Sequence, residues 1–310
     1  MILSASRRTD IPAFYMPWLM NRLRAGEVLI QNPYNPNQVS RVRLSPDTVD
    51  CIVFWSKNPA PLLGLCDEIA AMGYAFYVQY TLTPYGAALE PGLPPETERL
   101  ETFLRLSDML GAQRVVWRYD PVIVSDAFPA RWHLVQFRRL AEALRGNTDA
   151  CIFSFADAYA KLRRTAPELV RTLQREEACA LASGFAETAQ RCGMKLCACA
   201  EPFDLRECGV SPARCIDARR IEQILDCPIR EMRDKGQRPA CGCMQSIDVG
   251  AYDTCPHGCR YCYANRSGDC ATERFARHDP AAPMLTGFPR PGQKITDRPV
   301  RSLREDQLTF

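Results

Sequence analysis

Four times along this 310-residue chain a helical pattern runs into a glycine and then into a short β-prone stretch. Residues 60–72 lead through Gly73 into 75–80, and residues 96–110 lead through Gly111 into 114–119. Residues 130–145 lead through Gly146 into 151–155, and residues 167–192 lead through Gly193 into 195–199. Glycine just past a helix is the usual left-handed cap, because it lacks the Cβ that penalises positive φ. Within 96–110, Leu100, Phe103, Leu104 and Leu110 are expected to form the stripe that faces a sheet. Helix-then-strand units in series mean parallel strands joined by right-handed crossovers. Strands expected at 2–6, 51–55 and 246–250 bring the total to about seven. The predicted fold is therefore α/β, a complete or partial (β/α) TIM-type barrel, with an open doubly wound sheet as the alternative, since periodicity does not show closure.

Residues 27–44 read as an inserted hairpin around Asn32-Pro33-Tyr34-Asn35-Pro36-Asn37. The Pro- and Gly-rich residues 83–95 read as a loop, and a lid is one use for it. The predicted organisation is a barrel over residues 1–270, cysteine-rich from 192 to 270, with a tail over 271–310 packed on it. In such barrels the loops leaving the carboxyl ends of the strands form the active face. Here they are expected to carry residues 6–10, 56–58, 79–81 and 118–120, with Asp157 and Glu201.

A 46% hydrophobic composition supports a full core, and a net charge of +3 is too small to predict nucleic-acid or membrane binding from electrostatics. The N-terminus shows no basic region before an apolar run, and nowhere do about eighteen apolar residues occur together. The expectation is a soluble cytoplasmic protein with no membrane partner. Sixteen cysteines are many for a chain in a reducing compartment, where metal ligation explains them better than disulfides do. Cys51, Cys66, Cys151 and Cys179 are scattered in apolar settings, and the others all lie from Cys192 onward.

Among these, Cys255, Cys259 and Cys262 stand three and two residues apart in Cys255-Pro256-His257-Gly258-Cys259-Arg260-Tyr261-Cys262-Tyr263. A cuboidal 4Fe-4S cluster normally takes four cysteine thiolates, so three leave one iron open. An open iron is what S-adenosylmethionine needs in order to chelate through its amino and carboxylate groups. The alternative is a structural zinc knot closed by His257 or Cys270.

With Tyr261 just before the third cysteine, this stretch resembles the hallmark of the radical S-adenosylmethionine superfamily. There the motif follows the first barrel strand, whereas here it comes last. The resemblance thus implies a circularly permuted barrel, in which 246–265 is the displaced first unit and 2–6 the second strand. More narrowly, residues 1–12, Cys241-Gly242-Cys243 and residues 259–265 are similar to the domain of unknown function 1848 family, over nearly the whole chain. The superfamily resemblance implies reductive cleavage of S-adenosylmethionine to a 5'-deoxyadenosyl radical that abstracts hydrogen from a small-molecule or peptide substrate. It also implies an electron donor such as flavodoxin or ferredoxin. Where many superfamily members carry Gly-Gly-Glu, this chain has Arg7-Arg8-Thr9-Asp10. Asp10 or Thr9 is then the expected acceptor for the cofactor's amino group, and Arg118 the expected donor to its carboxylate.

A second set of cysteines is large enough for an auxiliary iron-sulfur cluster, with Cys199, Cys215, Cys241 and Cys243 the preferred four and Cys208 and Cys227 in reserve. Small buried hydrophobes or a zinc staple are the other readings. Cys197 is expected to face away from Cys199. Two alternatives to the radical enzyme remain at this level. One is a nucleic-acid repair lyase resembling spore photoproduct lyase, whose motif has a similar Tyr-Cys-Tyr ending. The other is a non-enzymatic zinc or iron-sulfur binding protein.

Overall fold

The computed structural model of the protein describes residues 1–156, 160–169 and 171–305, so the strand-end Asp157 lies outside the described residues. In chain order the elements begin β1 (Ile2–Ala5), α1 (Ile11–Phe14), α2 (Met16–Ala25), β2 (Glu27–Gln31), β3 (Gln38–Arg43) and β4 (Cys51–Ser56). They continue α3 (Cys66–Ala71), β5 (Phe76–Thr81), α4 (Glu96–Leu110), β6 (Val115–Val122), α5 (Ala130–Ala143), β7 (Ala150–Phe155), α6 (Ala160–Thr165) and α7 (Arg175–Arg191). Last come β8 (Lys195–Ala198), β9 (Ser211–Pro212), α8 (Ala218–Leu225), β10 (Ser246–Asp248), α9 (Gly268–Ala276) and β11 (Lys294–Asp297).

Eight strands form one parallel sheet in the order β10-β1-β4-β5-β6-β7-β8-β9. The strand nearest the chain's end, β10, thus lies beside the first, with Ile2 opposite Ser246 and Ser4 opposite Asp248. Among the described residues no ladder joins β9 to β10, so the hydrogen-bonded sheet has two ends. Gly73, Gly111, Gly146 and Gly193 all take positive φ at the helix-to-strand junctions, as the punctuation predicts.

Side chains alternate across the sheet with period two. Leu3, Phe54, Val78, Trp117, Cys151 and Leu196 join the core shared with the helices. Trp117 stacks on Phe137 of α5 at 4.9 Å, and Phe137 stacks on Phe185 of α7 at 4.3 Å, which fixes both helices to the strands. The intervening residues Ile2, Val53, Tyr77, Val116 and Ile152 form a second cluster with α8 and the segment from Ala213 to Met244. On α4 the fully buried positions are Arg99, Phe103 and Leu106, whereas Leu100, Leu104 and Leu110 are only partly buried. The expected stripe is rotated because Arg99 turns inward. Its Nη2 donates to Thr83 O at 3.2 Å and its Nε to Pro94 O at 3.2 Å.

The insertion is an antiparallel β2–β3 hairpin, and β11 adds to it in parallel. The proposed domain boundary at 270 falls inside α9. Downstream of that helix, Ala282 O accepts from Trp18 Nε1 at 3.0 Å and Pro283 O from Leu29 N at 2.9 Å, tying the tail to α2 and the hairpin. No helix among the described residues is long and apolar enough to cross a membrane.

Candidate metal centre at the carboxyl ends of the strands

The loop after β10 carries Cys255, Cys259 and Cys262 and is closed on itself by its own backbone. Asp253 N donates to Ala264 O at 3.0 Å, Asn265 Nδ2 to Cys255 O at 2.6 Å and Cys262 N to Cys259 O at 3.1 Å. Asp253, held at φ +60°, accepts from Arg266 N and Nε at 2.5 and 2.8 Å and so fixes the loop's exit. The Ala264 amide donates to Cys262 Sγ at 3.3 Å. The root of the loop presses on β1. A Cβ on Gly250 would lie 2.0 Å from Ser6 Oγ, so only glycine fits. Asp248 latches the two strand ends by accepting from Ser4 Oγ, Ser6 Oγ, Arg7 N and Gly250 N at 2.5–3.0 Å.

Asp10 lies beneath this loop with every acceptor position in use. Oδ1 accepts from Ala13 N (3.0 Å) and Ser56 Oγ (2.7 Å), and Oδ2 from Lys57 N (2.8 Å) and His257 Nε2 (2.8 Å). A carboxylate offers about four lone-pair sites, so Asp10 has none left for a ligand. Burial acts to raise its pKa, but the His257 bond and those from Lys57 and Ser56 outweigh it and hold Asp10 below the usual range. His257, through the same bond, is committed to the protein and is not placed as a fourth ligand. Thr9 is the opposite case: its Oγ1 is buried with no partner.

The loop over 83–95 closes on the cysteine loop from the other side. Gly92 N donates to His257 O at 3.0 Å, and a Cβ on Gly92 would meet that oxygen at 2.6 Å. Arg260 N donates to Leu89 O at 2.9 Å, and Tyr261 Oη donates to the Glu90 carboxylate. Glu90 is fully buried, and it also accepts from Lys57 Nζ and Thr83 Oγ1 at 2.8 Å. Burial raises its pKa, but Lys57, Tyr261 and Arg99 together hold it low. Tyr261 is thereby a strut between the two loops. Burial pushes Cys259 up to about 12, with Lys57 working against that and Glu90, Cys262 and Asp10 adding to it. Cys255 is raised too, by burial first and then by Asp10, Cys259 and Cys262, so Cys255 feels the charge of both other thiols and Cys259 that of Cys262.

Residues 2–264 match the family described as a domain of unknown function, DUF1848. The chain belongs to that family. No curated protein and no solved structure matches it.

In this DUF1848 protein the second cysteine set also assembles. Cys199 follows β8, Cys215 follows β9, and their sulfurs are 3.5 Å apart. Cys243 hydrogen-bonds both Cys215 and Cys241. Arg118, on β6, donates from Nη1 to Cys215 Sγ at 3.0 Å and from Nη2 to Asp120. It therefore belongs with this set and not with the loop of Cys255. Bonds from Cys199 and Cys243, with the charge of Arg118, outweigh burial and hold the Cys215 thiol well below its usual value. The bond from Cys243, helped by Arg7, brings Cys241 down to about 6. Arg7 and Arg118 both lie over the Trp55 ring, at 5.3 and 5.1 Å, and Arg7 O accepts from Tyr263 Oη at 2.5 Å. Arg7 thus touches both cysteine regions.

Cys197 packs in the same cluster as Cys199, contrary to the expectation that it faces away, because residues two apart on an extended chain share a side. Cys51, Cys66 and Cys151 are buried in the cores, but Cys179 is not a lone apolar cysteine. Its sulfur lies within 4.8 Å of ligand atoms of Cys208 and Glu207, which form the described group compact enough for a single ion. Glu90 and Asp248 were not singled out from the sequence, whereas Ser56 stands among the strand-end residues expected on the active face. No motif marks the two acids, and Asp248 sits inside a strand where an acid reads as an ordinary polar position.

Proposed function

We propose that the chain is a radical enzyme whose loop of Cys255, Cys259 and Cys262 holds an open-site 4Fe-4S cluster, and that the sheet is a circularly permuted, partial (β/α) barrel. Support for the barrel comes from β10 lying beside β1 and from one cluster that gathers alternate residues of β1, β4, β5, β6, β7 and β8 with the 213–244 segment. The observation that carries the cluster is three half-buried thiols on one self-closed loop at the carboxyl edge, within reach of one another's charge and bonded to a second loop. The donor set suits the group, since iron-sulfur clusters take thiolates. Those three sulfurs do not form a group mutually within 4.8 Å, as a single zinc ion with sulfurs about 3.8 Å apart would require.

When bound, the cluster and S-adenosylmethionine supply an electron and a 5'-deoxyadenosyl radical for hydrogen abstraction from a small-molecule or peptide substrate. The electron donor is of the flavodoxin or ferredoxin kind, and the compartment is the cytoplasm. The chain's own residues bind, orient and exclude water. Thr9 Oγ1 is the acceptor kept unpaired beside the root of the loop. Asp10 orders the loop through His257 and does not receive the cofactor. Glu90, Lys57 and Tyr261 hold 83–95 down as the cover. The test is the electron paramagnetic resonance spectrum of the reduced, anaerobically reconstituted protein before and after S-adenosylmethionine is added. The reading expects a changed signal that is absent from Cys259→Ala, and an unchanged signal contradicts it.

A further inference from the structure

We infer that Cys199, Cys215, Cys241 and Cys243 ligate a second iron-sulfur cluster, with Arg7 and Arg118 as its counter-charges; this goes beyond the reading of the loop of Cys255 and does not depend on it. Four thiols from three separate segments meet in one row. Cys199 and Cys215 are 3.5 Å apart, and Cys243 bridges Cys215 to Cys241. The backbone is built to bring them there. Met244 N donates to Ile216 O at 3.0 Å, so the Cys243 strand of chain runs beside that of Cys215. Cys241 N donates to Arg238 O at 2.9 Å and Asp234 N to Cys243 O at 3.0 Å, which pins the Cys241-Gly242-Cys243 turn from behind. Cys241 and Cys243 both pack in the cluster that holds Cys215.

Three bland readings fit less well. Ordinary core cysteines do not draw two arginines, yet Arg118 contacts Cys215 at 3.0 Å, and Arg7, over the same Trp55 ring, lies within reach of the charges of Cys243 and Cys215. A mononuclear zinc site needs four sulfurs each about 3.8 Å from the others. No three of these sulfurs form a group mutually within 4.8 Å, which is looser than four ligands on one zinc ion. A Cys199–Cys215 disulfide would leave Cys241 and Cys243 unexplained, and disulfides are disfavoured in a reducing compartment. Four soft thiolates spread over a wider space suit a polynuclear iron-sulfur centre. Such a centre carries net negative charge, and the buried Arg118 and partly buried Arg7 guanidiniums, which also pair with Asp120 and Asp234, face it with positive charge. One nitrogen of Arg7, Nη2, is buried with no hydrogen-bond acceptor of its own, as a donor awaiting a sulfide or thiolate would be.

The experiment removes the other cysteine loop first. The Cys255→Ala, Cys259→Ala, Cys262→Ala variant of the full chain is reconstituted anaerobically with ferrous iron and sulfide, and its iron, sulfide and zinc are measured. The expected result is a brown protein with about four irons and four sulfides per chain. Adding Cys215→Ser and Cys243→Ser should remove that iron while circular dichroism stays that of a folded protein. Should those additions unfold the chain, Arg118→Met in the triple variant gives the second readout. Loss of a positive charge beside the cluster should lower its reduction potential, whereas a cluster elsewhere would be unmoved. Less than one iron per chain in the triple variant, about one zinc in its place, a Cys199–Cys215 disulfide in the native chain, or a potential unchanged by Arg118→Met would overturn the inference. Failure of the loop of Cys255 to bind S-adenosylmethionine leaves these outcomes untouched.

Discussion

Asp10 and His257, 247 positions apart in the chain, meet through a 2.8 Å hydrogen bond buried beneath the cysteine loop. The bond fastens the loop after β10 to the end of β1, and Asp10's three other bonds fasten both to α1 and to the end of β4. Replacing Asp10 by Asn puts a donor where an N–H or O–H already points. We expect a loss of about 2–4 kcal/mol in urea unfolding and faster proteolytic cleavage within 255–262.

Gly92 is where the covering loop touches the backbone of His257. Gly92→Ala forces a Cβ to 2.6 Å from His257 O, and backbone on both sides leaves no side chain to yield. The expected cost is about 1–3 kcal/mol, with faster loss of the reconstituted cluster's colour in air than in the parent. A variant that bleaches at the parental rate would show that the loop is not a cover.

Glu90 is the charge on which that cover is built, since Lys57, Arg99 and Tyr261 all converge on it. Glu90→Ala leaves Lys57 and a fully buried Arg99 without their carboxylate. The predicted destabilisation is about 3–5 kcal/mol. Glu90→Gln should cost less, because the amide oxygen still accepts from Lys57 and Thr83. Chemical denaturation of both variants measures the difference.

His133 gives the fold a pH dependence away from the cysteines. It is fully buried on α5, with Tyr119 Oη 3.0 Å from Nδ1 and Ile123 O 2.9 Å from Nε2, a pattern the neutral ring satisfies completely. Burial takes it from the ordinary 6.5 down to about 4. As pH falls through 6.5 the unfolded chain takes up the proton while the folded chain does not, so stability is lost down to about 4 and levels off below. The full difference is about 3 kcal/mol. His133→Gln should remove that part of the slope in pH-dependent thermal unfolding.

Phe137 joins β6 to α7 by stacking on Trp117 and Phe185. Phe137→Ala should cost about 3–5 kcal/mol, and calorimetry reads it as a lower transition temperature.

The sheet was legible because its punctuation is local. Gly73, Gly111, Gly146 and Gly193 mark helix ends whatever the chain does elsewhere, and the β-prone runs behind them became β5, β6, β7 and β8. The placement of β10 beside β1 is what the resemblance to a permuted barrel implies, and no local pattern shows it. Much of the site was not legible, because partners far apart in sequence decide it. Asp10 looked like an open acceptor until its four donors were counted, and Arg118 looked like a cofactor contact until Cys215 was found 3.0 Å away. Arg99 breaks the amphipathic pattern of α4 because Glu90, in another element, draws it inward. Cys179 and Cys208 were read apart, and only the packing of α7 on the turn at Arg206–Cys208 brings them together.

The central claim concerns what the loop of Cys255, Cys259 and Cys262 does to S-adenosylmethionine. Its most direct measurement is the amount of 5'-deoxyadenosine formed when the anaerobically reconstituted protein is reduced with the cofactor present. We predict product in the parent and none in Cys259→Ala, with the iron of Cys199, Cys215, Cys241 and Cys243 retained in that variant. No product in the parent with either a chemical or a flavodoxin-type reductant, or equal product in Cys259→Ala, would contradict the account.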